Sequence, residues 1–318
     1  MSKFITIGEP LAVFASNDLD ASLSEATHFQ KFLAGAELNV AIGLSRLGHS
    51  TQYISQIGQD SMGDFIAKGL SKHHVGITYL KRSVDFHTGF YFKEQVSNGD
   101  PKVEYFRKNS AASHYQKENL NEFELRNVKI AHLSGIMAAI SAEGLATVDR
   151  AFDLFNDLKI TTVFDPNLRP SLWDSKAIMI EKLNQLAKKS KVVLPGINEG
   201  KILIGSKVPE QIADFYLSQS EITSIVVVKL GAAGAYLKTK GGYEKTVKGF
   251  EVTEVVDTVG AGDGFAVGFE SALLEGLTLD EAVERACAIG ALAVQSPGDN
   301  EGYPTRTVLE QFLAAAKR

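Results

Sequence analysis

Short apolar runs alternate along this chain with longer segments whose apolar residues recur every three or four positions, patterns typical of buried strands and of helices respectively. Strands are predicted at 3–7, 53–57, 77–80, 130–134, 161–164, 192–194, 225–228, 235–237 and 243–247, with a polar loop at 16–25. Helices are predicted at 39–47, 62–72, 141–158, 176–188, 278–294 and 308–317. Repeated strand–helix units of this length predict an α/β fold with a mostly parallel sheet covered on both faces.

Two aromatic runs interrupt this alternation. Residues 88–92 and 103–107 are strand-like, and the turn signal at 97–101 joins them. We expect an antiparallel pair that leaves the main sheet, so that residues 11–15 and 85–108 form a lid. One face of a lid with aromatic strands is suited to contact a ligand, and the other face is suited to contact another subunit. The protein could therefore form a homo-oligomer through the lid.

The segment 257–263 (DTVGAGD) lies between an extended apolar run at 252–256 and a helical pattern, which predicts a strand, a turn and a helix. Gly260 and Gly262 lack a Cβ, so backbone N–H groups can converge at the helix N-terminus and bind a phosphate. Asp263 beside that phosphate would accept a proton from an attacking hydroxyl, and it is expected to be an ionised, weak base. The alternative to a catalytic role is that Asp263 is simply one of the acidic residues favoured in a first helical turn.

Polar or glycine residues stand where several predicted strands end. Gly58, Asp165, Lys229 and Asp257 each follow such a strand. Because ligands of parallel α/β sheets bind at the carboxyl ends of strands, these positions predict one shared site.

Composition narrows the class of protein. The chain has 318 residues, 44% hydrophobic and 22% charged, as in ordinary globular proteins. A net charge of −5 gives no indication of nucleic-acid binding. Cys287 is the single cysteine, which excludes an intramolecular disulfide. No secretion signal is evident in residues 1–8, and no apolar stretch is long enough to span a membrane, so the prediction is cytoplasmic.

Two motifs resemble the signatures of the PfkB, or ribokinase-like, family of sugar kinases, and the resemblance covers nearly the whole chain. Residues 257–265 (DTVGAGDGF) resemble its C-terminal signature. The residues that resemble its N-terminal signature are Asn39, Val40, Ala41, Gly48, Gly58, Asp60 and Gly63. The resemblance implies a single kinase domain over 1–318. Its fold would be a ribokinase-like three-layer α/β/α sandwich with a mostly parallel central sheet, a small β-sheet lid, and ATP and Mg²⁺ as ligands.

The spacing of the first signature departs from the commonest family pattern, because three residues instead of two separate Gly35 from Asn39. GAELN at 35–39 is instead similar to the subgroup that phosphorylates 2-keto-3-deoxygluconate. The other segments similar to that subgroup are GEPL at 8–11, YFRK at 105–108, DPNLR at 165–169 and GDNEG at 298–302. The resemblance implies an ATP-dependent sugar-acid kinase that makes a 6-phosphate. Two alternatives are a kinase for fructose or ribose on the same fold and a non-catalytic sugar-binding regulator. The intact Asp263 argues against the regulator.

The same resemblance implies roles for individual residues. Asp263 would be the base, and the anion hole would be Gly260, Ala261 and Gly262. The ATP site would include Asn167, Lys229, Gly231, Gly260 and Gly262. The sugar-acid site would be lined by Gly35, Asn39, Tyr91, Tyr105, Arg107, Arg169 and Asp299. Glu199 would position Mg²⁺. The family usually has an asparagine where this chain has Gly196, and whether Asn198 takes its place is left open by the sequence.

The two arginines bear on specificity. A guanidinium grips a carboxylate with a planar fork. Arg107 ends a lid strand and Arg169 follows a predicted strand, so both are expected to face one cleft, with surface arginines as the alternative.

Overall fold

The computed structural model describes residues 2–99, 101–296 and 298–316. Its strands are β1 (Phe4–Ile7), β2 (Leu11–Leu19), β3 (Phe29–Ala34), β4 (Thr51–Gly58), β5 (Leu80–Ser83), β6 (Phe90–Gln95), β7 (Val103–Phe106), β8 (Ile130–Ser134), β9 (Thr161–Asp165), β10 (Val192–Val193), β11 (Ile225–Lys229), β12 (Gly234–Thr239) and β13 (Glu244–Lys248). Its helices are α1 (Ala36–Arg46), α2 (Ser61–Lys72), α3 (Gly135–Ala139), α4 (Ala142–Asp157), α5 (Lys176–Ala187), α6 (Ile197–Leu203), α7 (Pro209–Ser218), α8 (Ala261–Glu275), α9 (Leu279–Ala293) and α10 (Arg306–Ala316).

The large sheet is mostly parallel, as predicted. Among the described residues it has nine strands in the order β13-β12-β11-β10-β9-β8-β1-β4-β5, and only β12 runs antiparallel to its neighbours, β11 and β13. Successive residues of β1 point to opposite faces, so Phe4 packs into one hydrophobic cluster and Ile5 into another. Helices cover both faces, which confirms the ribokinase-like α/β fold. No helix of the described ranges combines the length and apolar content that crossing a membrane requires.

A small sheet with the strand order β3-β2-β6-β7 stands apart from the large one. Strands β6 and β7 are antiparallel, with Tyr91 opposite Tyr105, and β2 joins them through a parallel pairing with β6. The predicted aromatic pair is therefore confirmed. The prediction missed β3 and placed a loop where β2 continues to Leu19, because Asn17 and Asp18 are polar although the strand extends through them.

The strands of the small sheet place side chains on two different faces. Phe90 and Phe92 alternate with Tyr91 and Lys93 along β6. The phenylalanines form what we call the outer face, a cluster of neighbouring rings made by Phe14, Phe29, Phe90, Phe92 and Phe106. Tyr91 is only 6% exposed, whereas Phe106 is 42% exposed.

Several predicted elements were wrong. Residues 252–256 form no strand, and Val255 and Val256 are about half exposed. Asp257 therefore does not end a strand; the backbone N–H groups of Val256 and Asp257 instead donate to the carbonyl of Val294. The strand predicted at 77–80 begins at Leu80, and helices α3, α6 and α7 were not predicted.

Helix α8 packs very closely along α9. A Cβ built on Gly268 would lie 2.5 Å from the Cα of Ala286 and 2.6 Å from the carbonyl oxygen of Arg285. Only glycine permits this approach of the two backbones. Helix α8 is therefore fixed against α9 along its middle, and its N-terminus is held in a fixed place beside the sheet.

Candidate active site

One cavity of about 310 Å³ lies between the small sheet, the carboxyl ends of β9 and β11, and the start of α8. The predicted site residues that line it are Gly35, Asn39, Tyr91, Tyr105, Arg107, Asn167, Arg169, Glu199, Lys229, Gly260, Gly262, Asp263 and Asp299. Two predicted residues do not line it. Ala261 is the first residue of α8, and Gly231 is exposed just after β11. The structure thus brings together thirteen predicted residues from distant parts of the chain.

Gly260 shapes the turn before α8, with a left-handed φ of 78°. A Cβ at this position would overlap the carbonyl oxygen of Asp299, and the Gly260 carbonyl accepts a hydrogen bond from the Tyr303 hydroxyl at 2.7 Å. The N–H of Ala261 closes the turn on Thr258 at 3.4 Å. N–H groups in a first helical turn lack partners within the helix, so this end of the cavity suits an anion.

The Asp263 carboxylate is held by two amide side chains. Its Oδ2 accepts from Asn39 Nδ2 at 2.8 Å, and its Oδ1 accepts from Asn167 Nδ2 at 3.3 Å. Asn39 is itself oriented by a 2.9 Å bond from Asn300. Burial raises the pKa of Asp263 above its usual value, while the Asn39 bond opposes that rise. Asp263 is therefore a stronger base than the sequence analysis assumed.

Lys229 provides a buried positive charge beside this anion-binding end. Its ammonium lies 2.5 Å from Asp165 Oδ2, and a Cβ built on Gly262 would be 3.7 Å from it. Burial alone would lower the pKa of Lys229, but the carboxylates of Asp165 and Glu199 raise it above the usual value. The lysine thus stays charged at this end of the cavity.

Glu199 organises two loops with its carboxylate. Its Oε1 accepts from the Leu168 N–H at 2.9 Å and its Oε2 from the Gly196 N–H at 2.6 Å. Burial raises its pKa, and the charge of Lys229 opposes that rise. Asn198, the candidate to replace the family's asparagine, is exposed and does not line the cavity.

The two arginines differ in what they contact. Arg107 donates from Nε to Glu9 Oε2 at 2.7 Å and also through Nη2, while the Ser110 hydroxyl donates to Glu9 Oε1 at 2.5 Å. The Glu9 side chain is fully buried, so the Arg107 charge is already paired. Arg169 is exposed, and it makes no ion pair with any residue that the structure describes; its Nη1 donates to the Leu168 carbonyl at 2.9 Å.

Two more acidic residues, Glu9 and Asp299, line the cavity. Glu9 lies within the GEPL segment quoted from the sequence, but no role in the site was predicted for it; its position two residues after the buried parallel strand β1 was the available signal. Burial and the nearby charge of Asp263 raise the pKa of Asp299 to about 7, against the opposing effect of Lys93. Asp299 is therefore partly protonated at neutral pH.

The fold and the cavity together define a class of protein: a mostly parallel α/β fold with a cavity that contains a helix start suited to an anion and the Asp263 carboxylate beside it. A family model described as pfkB family carbohydrate kinase matches residues 1–306. The chain belongs to this family of carbohydrate kinases.

Comparisons with individual proteins agree with the family assignment. The chain is 45% identical to a 2-dehydro-3-deoxygluconokinase of Bacillus subtilis, over 98% of this chain and 96% of that one. A PfkB protein from Polaromonas superimposes with a TM-score of 0.89 at 41% identity, over 98% of this chain and 99% of that one. A putative ribokinase II from E. coli, in complex with ATP and Mg²⁺, gives a TM-score of 0.90 at 25% identity, over 99% and 100% of the two chains.

Proposed function

We propose that this protein transfers the γ-phosphoryl group of ATP to 2-keto-3-deoxygluconate (2-dehydro-3-deoxygluconate) and releases the 6-phosphate. The observation that carries the proposal is a single cavity that holds both the Asp263 carboxylate and the guanidinium of Arg169, which forms no ion pair with any described residue. The Asp263 carboxylate suits a hydroxyl that attacks phosphate, and the Arg169 guanidinium suits the carboxylate of a sugar acid. The name of the Bacillus subtilis relative supports the same substrate.

Asp263 would act as the base. Asn39 and Asn167 fix its carboxylate, which would orient the sugar hydroxyl and take its proton late in the transfer. The hydroxyl oxygen then bonds to the γ-phosphorus as the bond to ADP breaks. The N–H groups at Gly260 and Gly262 and the Lys229 ammonium would stabilise the negative charge on the phosphates.

Mg²⁺ is implied by the family and suits this donor set. Within the described part of the chain no group of three acidic, histidine or cysteine side chains is arranged to hold a metal ion. Mg²⁺ commonly keeps several waters and binds through one or two carboxylates together with substrate phosphates. Glu199 and Asp165, which line the cavity near Lys229, would hold it in this way, and the ion would neutralise phosphate charge.

The carboxylate of the sugar acid should determine specificity. We expect the parent to have a higher kcat/KM for 2-keto-3-deoxygluconate than for its uncharged counterpart 3-deoxyfructose. Arg169→Leu should reduce that ratio by about 10- to 100-fold, the usual worth of one charge-assisted hydrogen bond, while sparing the KM for ATP. Arg107→Leu should reduce it as well, with a loss of stability because the buried Glu9 loses its ion-pair partner and keeps the hydrogen bond from Ser110.

Arg126→Leu is the matched control, since Arg126 is also exposed but lies outside the cavity. A parent enzyme that prefers fructose or ribose contradicts the sugar-acid proposal. Sugar binding without any phosphorylation would instead support the regulator. If the parent prefers the acid but neither arginine variant changes the ratio, the carboxylate is bound elsewhere in the cavity.

We also propose that residues 1–318 form a single kinase domain that works in the cytoplasm. Residues 11–15 and 85–108, which belong largely to the small sheet, would act as its lid. Tyr91 and Tyr105 place aromatic rings over the cavity from this sheet. Closure of such a sheet over the sugar would exclude water from the phosphoryl transfer.

A second copy of the chain would cover the outer face, because five clustered phenylalanines on one sheet face form an apolar surface typical of subunit contacts. We expect Phe106→Asp to convert a dimer into a monomer in light-scattering measurements. Val84→Asp is the control, since Val84 is 80% exposed and lies outside the small sheet. A parent that is monomeric at micromolar concentration contradicts this contact.

A further inference from the structure

Lys93, on β6 of the small sheet, forms an ion pair with Asp257, in the segment that leads into Gly260. The two charged atoms are 2.9 Å apart and join residues 164 positions apart in the chain. Side-chain exposure is 19% for the lysine and 22% for the aspartate, so water screens this pair only in part. The pair therefore links the small sheet to the segment that leads into the turn at Gly260, at the end of the cavity that suits an anion.

The alternation of β6 explains why a lysine lies at this point. Lys93 follows Tyr91 by two residues, so both side chains leave the strand on the face opposite Phe92. Tyr91 lines the cavity, and Lys93 lies farther along the same face. A one-residue shift in register would place Phe92 or Glu94 against Asp257 instead, and neither can form this ion pair.

Asp257 uses its two carboxylate oxygens for different contacts. Its Oδ2 accepts from the Lys93 ammonium, and its Oδ1 accepts from the backbone N–H of Val259 at 3.0 Å. The second bond shapes the turn that precedes Gly260. One carboxylate thus connects the position of the small sheet to the conformation of the turn.

We propose that Lys93 is a positioning residue that orders the phosphate-binding turn through Asp257 when the small sheet lies over the cavity. Sugar bound beneath the sheet then raises the affinity for the nucleotide, because the sheet that it holds in place also holds the turn. The identity of that sugar rests on the proposed function, whereas the link between the sheet and the turn does not.

The first experiment measures coupling between the two ligands. Calorimetry gives the affinity for a non-hydrolysable ATP analogue with and without 2-keto-3-deoxygluconate. In the parent we expect the sugar acid to tighten analogue binding by about tenfold, the worth of one partly buried charge-assisted bond. Lys93→Met should bring this factor close to one, and Lys93→Arg should preserve it. A factor that is unchanged in Lys93→Met overturns the proposal.

Two further variants separate the link from a general loss of charge or of fold. Lys31→Met removes another lysine of the small sheet, one that lies over the ring of Phe65, and should leave the coupling intact. Asp257→Asn should lower the coupling as Lys93→Met does, and the double variant should lose no more than either alone. Additive losses overturn the proposal, because they show that the two residues act separately.

A second experiment needs no sugar. In ligand-free protein, hydrogen exchange at residues 258–263 should be several-fold faster in Lys93→Met than in the parent, with Lys31→Met unchanged. Faster exchange together with absent binding of 2-keto-3-deoxygluconate would leave the link standing and reject the proposed substrate. Unchanged exchange at these residues would reject the link whatever the substrate is.

Discussion

Asp263→Asn is expected to lower kcat by about 10²–10⁴-fold, the usual contribution of a positioned general base. Asparagine has nearly the same shape but cannot take the hydroxyl proton. Its amide would also meet the amide groups of Asn39 and Asn167, which now donate to two carboxylate oxygens. Binding of the ATP analogue should persist, since the turn at Gly260 remains. Steady-state kinetics, calorimetry and thermal unfolding of the same preparation test these three points.

Asp280→Asn tests the alternative that Asp263 is merely an acidic residue favoured at a helix start. Asp280 stands in the first turn of α9 and bonds to Lys245 and Tyr243 on the surface, outside the cavity. We expect its replacement to leave kcat unchanged. If Asp263→Asn keeps turnover within about tenfold of the parent, as a residue with only a helix-start role would, the base role is wrong.

Gly260→Ala should be the next most damaging change, with kcat/KM for ATP reduced by about 10²–10³-fold. Two physical effects combine. An alanine at a left-handed φ costs about 1 kcal/mol, and its Cβ would overlap the carbonyl oxygen of Asp299. The turn must then shift, which moves the N–H groups away from the phosphates.

Gly276→Ala separates these effects. Gly276 caps the other end of α8 at a φ of 73°, and a Cβ there would meet no atom within 4 Å. It should lose about 1 kcal/mol of unfolding free energy and keep its kinetics. Equal kinetic losses in the two variants would show that helix stability, and not the geometry of the turn, limits phosphoryl transfer.

The sequence predicted the elements whose residues have a regular burial pattern. The strand that ends at Lys229 begins with a continuous apolar run (IVVV), and the strand that ends at Asp165 is buried from Thr162 onward, because both faces of a parallel sheet are covered. Residues 252–256 (VTEVV) contain three valines, yet Val255 and Val256 lie about half exposed, and the Val256 N–H donates to the carbonyl of Val294 at the end of α9. Local composition cannot distinguish a buried strand from an exposed segment that only a distant carbonyl holds in place.

The contacts of the polar residues were harder to predict. The family resemblance named Arg107 and Arg169 together, but only the folded chain shows that Glu9, about a hundred positions away, already neutralises the first of them. The stronger basicity of Asp263 likewise follows from burial, which a helix-start pattern does not reveal. Such facts depend on distance in space, and the spacing of residues along the chain does not contain it.

The close packing at Gly268 has an evolutionary consequence. Because the backbones of α8 and α9 touch there, the half of the cavity that holds Asp263 and Gly260 tolerates little change without loss of folding. The half made by the small sheet rests on strands with exposed side chains, such as Tyr105 at 53% exposure. New acceptor sugars can therefore arise by substitutions in β7, such as at Tyr105, whose cost in stability is small, while the phosphate chemistry is inherited unchanged.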